Sequence, residues 1–165
     1  MISTGCVVLA FFQIVTYIPA KSARYIGGTA NIPHEVTGTL NAGDEKTLAF
    51  AWEKSSKTEA GGWRVAYNQV TGLSYGQHAG RRVGGAVAAA ATFWGAPAAV
   101  PMLLVKKRRH YVTIEFLDEK GQKQGAIFLV GKGAIEPLLD QLEARTGKKV
   151  QCEDEEASKT RNKRG

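Results

Sequence analysis

Few residues of this 165-residue chain have the types and spacing that chemistry needs. Gly72-Leu73-Ser74-Tyr75-Gly76 matches the G-x-S-x-G spacing of a nucleophile elbow. Such an elbow works when a strand-turn-helix lifts the serine over a parallel sheet, with an acid and a histidine arriving later in the chain. No alternation of strand and helix patterns builds that sheet here, and His110 sits in a basic run with no acid within four residues. The glycines are expected to serve a bend between strands, and no catalytic residue is assigned. His34, His78 and His110 show neither HExxH nor paired spacing and have no local cysteine partner, so neither a metal nor a cofactor is expected. Gly131-Lys132 is followed by Gly133 and lacks the upstream glycine of a phosphate loop. Cys6 precedes an apolar stretch where a lipidation box would follow one, and Cys152 lies beside a polar C-terminal segment.

The charge says more. Lys and Arg number 22 against 15 Asp and Glu, a net +7. Six of the bases, Arg81, Arg82, Lys106, Lys107, Arg108 and Arg109, flank one uncharged run, Val83 to Val105. Nucleic-acid grooves interleave bases with aromatic residues over a folded face. Basic collars around an oily run are instead the pattern of a membrane-inserted segment. The six bases are accordingly expected to contact lipid head groups, and no nucleic-acid partner is expected.

Residues 83–105 read VGGAVAAAATFWGAPAAVPMLLV. Length alone permits a span, but Gly95, Pro97 and Pro101 break the second half of any continuous helix. Bases at both ends suit a re-entrant hairpin, which returns both ends to one side. The expectation is a helix through roughly 83–94, a break at 95–97 and a short return to Val105, with Trp94 near the tip. Phe93, Trp94, Met102, Leu103 and Leu104 are the expected inserted side chains. Small residues recur every fourth position through Gly76, Gly80, Gly84, Ala88, Thr92 and Ala96. On a helix they form a smooth stripe that admits a second backbone, which predicts self-association or packing of the return arm.

Residues 1–20 carry no charge and are followed by Lys21 and Arg24. The segment 1–23 fits a cleaved leader, although it lacks a basic start and places Ile18 three residues before Ala20. It fits equally an uncleaved hydrophobic anchor helix.

The elements that must hold these features read mostly as strands. Leu48, Phe50 and Trp52 alternate with Thr47, Ala49 and Ala51; the turn-rich SSKTEAGG (55–62) leads into Trp63, Val65 and Tyr67. Val112, Ile114 and Phe116 alternate before DEKGQ (118–122), and QGAIFLV (124–130) returns. Ile135, Leu138, Leu139 and Leu142 then fall at helical spacing over 134–146, with Pro137 early and Gly147 placed to end the helix. Gly27-Gly28 reads as a flexible lead-in, and 151–165 as a disordered charged tail. With 44% hydrophobic residues the chain can bury a core, and two cysteines exclude a disulfide-stapled mini-protein. The predicted fold is mainly β, of α+β type: a bent antiparallel sheet or barrel capped by one C-terminal helix, with an apolar helical insertion and an N-terminal hydrophobic helix.

The hairpin order, the run KKRRHYVTIEFLDEKG and the closing LLDQLEARTGKKV resemble the pleckstrin-homology-like barrel of uncharacterised bacterial proteins, some with a similar YGQHAGRR stretch before an apolar insertion. The resemblance spans roughly 36–150. It implies seven strands closed by a helix, a fold that binds lipid, peptide or protein more often than it catalyses. The candidate first hairpin loop, NAGDEK (41–46), has two acids and one base, so specific phosphoinositide recognition is not expected there. The expected function is a non-catalytic, membrane-associated binding module. The alternative is an exported soluble module in which 83–105 packs in the core or against a partner.

Overall fold

Alternation of buried and exposed positions builds the sheet, and its inward residues are those the period-two pattern selects. Leu48, Phe50 and Trp52 point inward from β3 (Thr47–Trp52), and Val65 from β4 (Gly61–Ala66). The computed structural model describes residues 20–77 and 109–162. Before these strands come β1 (Ala20–Gly28) and β2 (Thr37–Asn41). After them follow a 3-10 turn (Tyr67–Gln69), β5 (Val70–Gly76), β6 (His110–Leu117) and β7 (Lys123–Val130). The chain closes with α1 (Lys132–Thr146), β8 (Val150–Cys152) and α2 (Glu155–Asn162).

The eight strands form one sheet in the order β4-β3-β2-β1-β7-β6-β5-β8. All described pairings are antiparallel except β5 with β8. Both predicted hairpins, β3–β4 and β6–β7, are present. The sheet is strongly bent and open. Trp63 of β4 lies five places from β6 in strand order, a separation of roughly 24 Å in a flat sheet. Yet its ring is 5.4 Å from that of Phe116 on β6 and 6.0 Å from that of Phe128 on β7. Phe128 also meets Phe50 at 5.0 Å and Tyr25 at 5.7 Å, so one fully buried ring joins β1, β3, β4 and β7.

Ile135, Leu138, Leu139 and Leu142 of α1 complete that core, each position worth about 1.5–3 kcal/mol of burial. The helix ends as its sequence predicts: Gly147 takes φ +68° and its N–H donates to the Glu143 carbonyl. The mainly β class and the covering helix follow the sequence expectation.

Four expectations change. Residues 20–23, assigned to the N-terminal apolar segment, belong to β1, and Ala23 is core. Gly27-Gly28 is no loose lead-in: both pair with β7, and a Cβ on Gly28 would lie 2.2 Å from the Gly125 carbonyl oxygen while φ is +130°. Residues 151–162 of the expected tail are not free, since β8 pairs with β5 and α2 buries Ala157. The molecule therefore has a second helix after α1. Among the described residues no helix is long and apolar enough to cross a membrane.

Because Phe128 joins four strands, Phe128→Ala is expected to cost roughly 3–5 kcal/mol in urea unfolding. Ser55→Ala, on an exposed loop, is expected to cost under about 0.5 kcal/mol.

Candidate functional site

β5 and β6 pair in register up to Gly76 opposite Tyr111. One step beyond, the Arg109 N–H donates to the Gln77 carbonyl at 3.4 Å. Gln77 and Arg109, the described residues that flank 78–108, are therefore bonded to each other and form a single neck.

The C-terminal segment is bolted to that neck. Asp154 caps α2, one carboxylate oxygen accepting the Ala157 N–H at 2.7 Å. Its other oxygen accepts the Gln77 N–H at 2.6 Å. The Gln77 side-chain amide donates to Thr160 Oγ1 at 2.5 Å and to the Tyr75 hydroxyl at 3.0 Å, and lies 3.2 Å from the Glu156 carbonyl oxygen. Tyr75 and His110 stack with rings 7° from parallel, their Oη and Nδ1 2.6 Å apart. Burial pushes the Tyr75 hydroxyl up to about 12, so it keeps its proton. Burial, helped by the Lys132 charge and opposed by that of Glu136, holds His110 below its ordinary value. Tyr75 therefore donates to a neutral imidazole at Nδ1, which leaves the ring proton on Nε2.

Arg161 fastens the two helices together. It donates to Asp140 at 2.7 Å, to Glu143 at 2.8 Å and, more distantly, to Glu136 at 3.5 Å. Glu136 is 9% exposed, and its second oxygen, Oε1, is buried with no hydrogen-bond partner among the described residues.

Between the neck and the two helices lies an open groove of about 1300 Å³. Arg24, Arg109, Lys132 and Lys159 line it against Glu136 and Glu156, and His110 and Gln77 form its neck side. Arg24 is paired with Glu35 at 3.2 Å and Lys159 with Glu155 at 3.5 Å, so these two cations are already partly neutralised. Leu129, Val130 and Ile135 give its wall an apolar part as well, and among the described residues no group of His, Cys, Asp or Glu has the arrangement of a metal site.

The structure brings one of the six expected head-group bases, Arg109, into this groove. Arg81, Arg82, Lys106, Lys107 and Arg108 lie outside the described residues, as do Phe93, Trp94, Met102, Leu103 and Leu104. Gly80, Gly84, Ala88 and His78 lie outside them too. Gly76, the expected first member of the small-residue helix stripe, is instead a strand residue of β5, so the stripe does not start there. Ser74 is also mid-strand, opposite Thr113 and Gln151, and its hydroxyl donates to Glu153 at 2.8 Å. An extended ladder residue does not have the strand-turn-helix geometry of an elbow. Gly72 sits where the β5–β6 register shifts, consistent with the bend expected of the glycines. Burial pushes the Cys152 thiol up, away from the reactive thiolate. His34 is exposed on the β1–β2 connection.

Sequence reasoning missed Gln77, Glu136, Lys132 and Lys159. Glu136 carried the one available signal, a carboxylate one place after Ile135 on the covered side of α1.

Two outcomes follow. Asp154→Ala removes the α2 cap and the Gln77 contact, and is expected to cost about 1–2 kcal/mol in urea unfolding. The folded-state pKa of His110 lies below its ordinary 6.5, so the unfolded chain takes up the extra proton first. Its contribution to stability is complete above about pH 6.5 and is lost as pH falls through the folded value. Melting temperature should therefore drop as pH falls below about 6.5, and His110→Gln should flatten that drop. No family model, curated protein or solved structure matches this chain, so geometry alone carries the functional reading.

Proposed function

We propose that the protein is a non-catalytic, membrane-associated binding module, docked by its apolar insertion. The observation that carries this is the single neck. An extended chain covers at most about 3.3–3.6 Å per residue, so Arg81, four residues from Gln77, lies within roughly 14 Å of the neck, and Lys106 within roughly 11 Å. Both basic collars are thereby tethered to one place, with the uncharged run 83–105 between them.

An apolar run that starts and ends at one neck enters a bilayer only as a hairpin. About 20 residues are needed for one crossing, so 23 residues cannot go through and return. Shallow insertion follows, with the collars at head-group level. Each base near an anionic surface contributes roughly 1 kcal/mol, and salt screens it.

The body in this reading is pleckstrin-homology-like. The seven strands β4-β3-β2-β1-β7-β6-β5, followed by a helix over the core, support that assignment; the open edges and the added β8 and α2 depart from it. In the exported alternative the same insertion would pack against protein.

The test is co-sedimentation of the full chain with phosphatidylglycerol vesicles. Changing Arg81, Arg82, Lys106, Lys107 and Arg108 to Gln spares Arg109 in the groove and is expected to weaken binding at least tenfold at low salt, with little difference at high salt. Unaltered vesicle binding in that variant would contradict the reading, as would a wild-type chain that ignores vesicles.

A further inference from the structure

We infer that His110, Tyr75 and Gln77 form a proton-sensitive latch, which holds α2 to the neck and loosens it when the imidazole becomes charged. The latch works whatever the apolar insertion meets.

Its basis is the direction of each hydrogen bond. With the imidazole neutral, Nδ1 accepts the Tyr75 proton at 2.6 Å, and Tyr75 Oη accepts one N–H of the Gln77 amide at 3.0 Å. The second amide N–H goes to Thr160 Oγ1 at 2.5 Å, and the Thr160 hydroxyl donates in turn to the Glu156 carbonyl at 2.8 Å. One directed chain thus joins β6, β5 and the neck to α2. Tyr75, Gln77 and His110 are all buried, so water is a poor substitute for a lost partner.

A proton taken up by His110 lands on Nδ1, because Nε2 already holds one. Nδ1 then donates to Tyr75 Oη, and the Tyr75 proton must point elsewhere. Gln77, the other group bonded to that hydroxyl, faces it with an N–H, donor against donor. Turning the amide over presents Oε1 to the Tyr75 proton and resolves that conflict. The turn creates another at α2, because Oε1 then takes the place of a nitrogen that lies 3.2 Å from the Glu156 carbonyl oxygen. Thr160 can donate to Oε1 only by leaving Glu156. The side-chain bonds between neck and α2 therefore weaken together. Asp154 still accepts the Gln77 backbone N–H, and Arg161 still reaches α1. α2 has eight residues, too few to be stable without such contacts. It also supplies Glu156, Lys159 and Thr160 to the groove, so its loosening reshapes that wall.

The charges around the groove set where the latch works. Lys132 and Glu136 stand on α1, Arg109 on β6 and Arg24 on β1, with Glu156 and Lys159 on α2; β7 contributes only Leu129 and Val130. Asp154 is felt at Tyr75. Burial and Lys132 outweigh Glu136 at His110, so the latch is closed at neutral pH and opens as pH falls below about 6.5.

Nuclear magnetic resonance of the full chain between about pH 8 and 5.5 tests this, following the His110 ring, the Gln77 side-chain amide and hydrogen exchange of the α2 amides corrected for intrinsic rate. The Gln77 amide and Thr160 resonances are expected to move with the His110 midpoint, and α2 protection to fall roughly three- to tenfold. His110→Gln should hold α2 protection level. In Tyr75→Phe, which keeps the ring and removes the relay, His110 should still titrate while Thr160 and α2 no longer respond. A loss of protection that persists in either variant assigns the effect to another group and overturns the latch. So does constant α2 protection in the unmodified chain across the His110 titration, however the variants fold.

Discussion

The β5–β6 ladder is the constraint on which the rest of this molecule depends. Because those strands pair to their last residues, the chain that leaves after Gln77 must return at Arg109. The two described residues that flank 78–108 are thereby held together, and the groove lies beside them.

The neck is stiffened from the other end of the chain. β8 adds a parallel strand to the β5 edge, and α2 then meets Gln77 through Asp154, Thr160 and the Glu156 backbone. Arg161 ties α2 to α1, which itself covers the core. A hydrogen-bonded path thus runs from the neck through α2 to the helix that carries Lys132 and Glu136. Tyr75 and His110 anchor its near end, both buried and both satisfied by one another. The Gln77–Asp154–Thr160–Tyr75 part of that path favours one arrangement over its neighbours, because each alternative leaves a buried group unpaired.

The legible part of the fold was the part where side chains repeat. β3 alternates cleanly, the inward residues of β6 fall at every second place, and α1 keeps Ile135, Leu138, Leu139 and Leu142 at i, i+3, i+4 and i+7 on one buried face. β1 escaped notice because its inward residues, Ala23, Tyr25 and Gly27, are small or spaced around a register shift. β8 and α2 were hidden by charge: EDEE reads as a tail, yet Asp154 is a cap and Glu155 and Glu156 sit in the first turn, where the helix dipole favours them. Of the site, the basic run ending at Arg109 was visible as charge. Gln77, Glu136 and Lys159 come together only through tertiary packing and have no mutual spacing to betray them. The pattern glycines misled in both directions, suggesting a helix stripe through Gly76 and slackness at Gly28 where close backbone approach excludes any side chain.

The most direct measurement of the central claim is native-state hydrogen exchange at the Gln77 and Arg109 amides in the full chain. A closed neck predicts that both exchange as slowly as the paired amides of β5 and β6, because each is bonded, one to Asp154 and the other to the Gln77 carbonyl. Exchange of these two amides at the rate of exposed loops, while β5 and β6 remain protected, would mean that the ends of the insertion part company and that the account built on one neck is wrong.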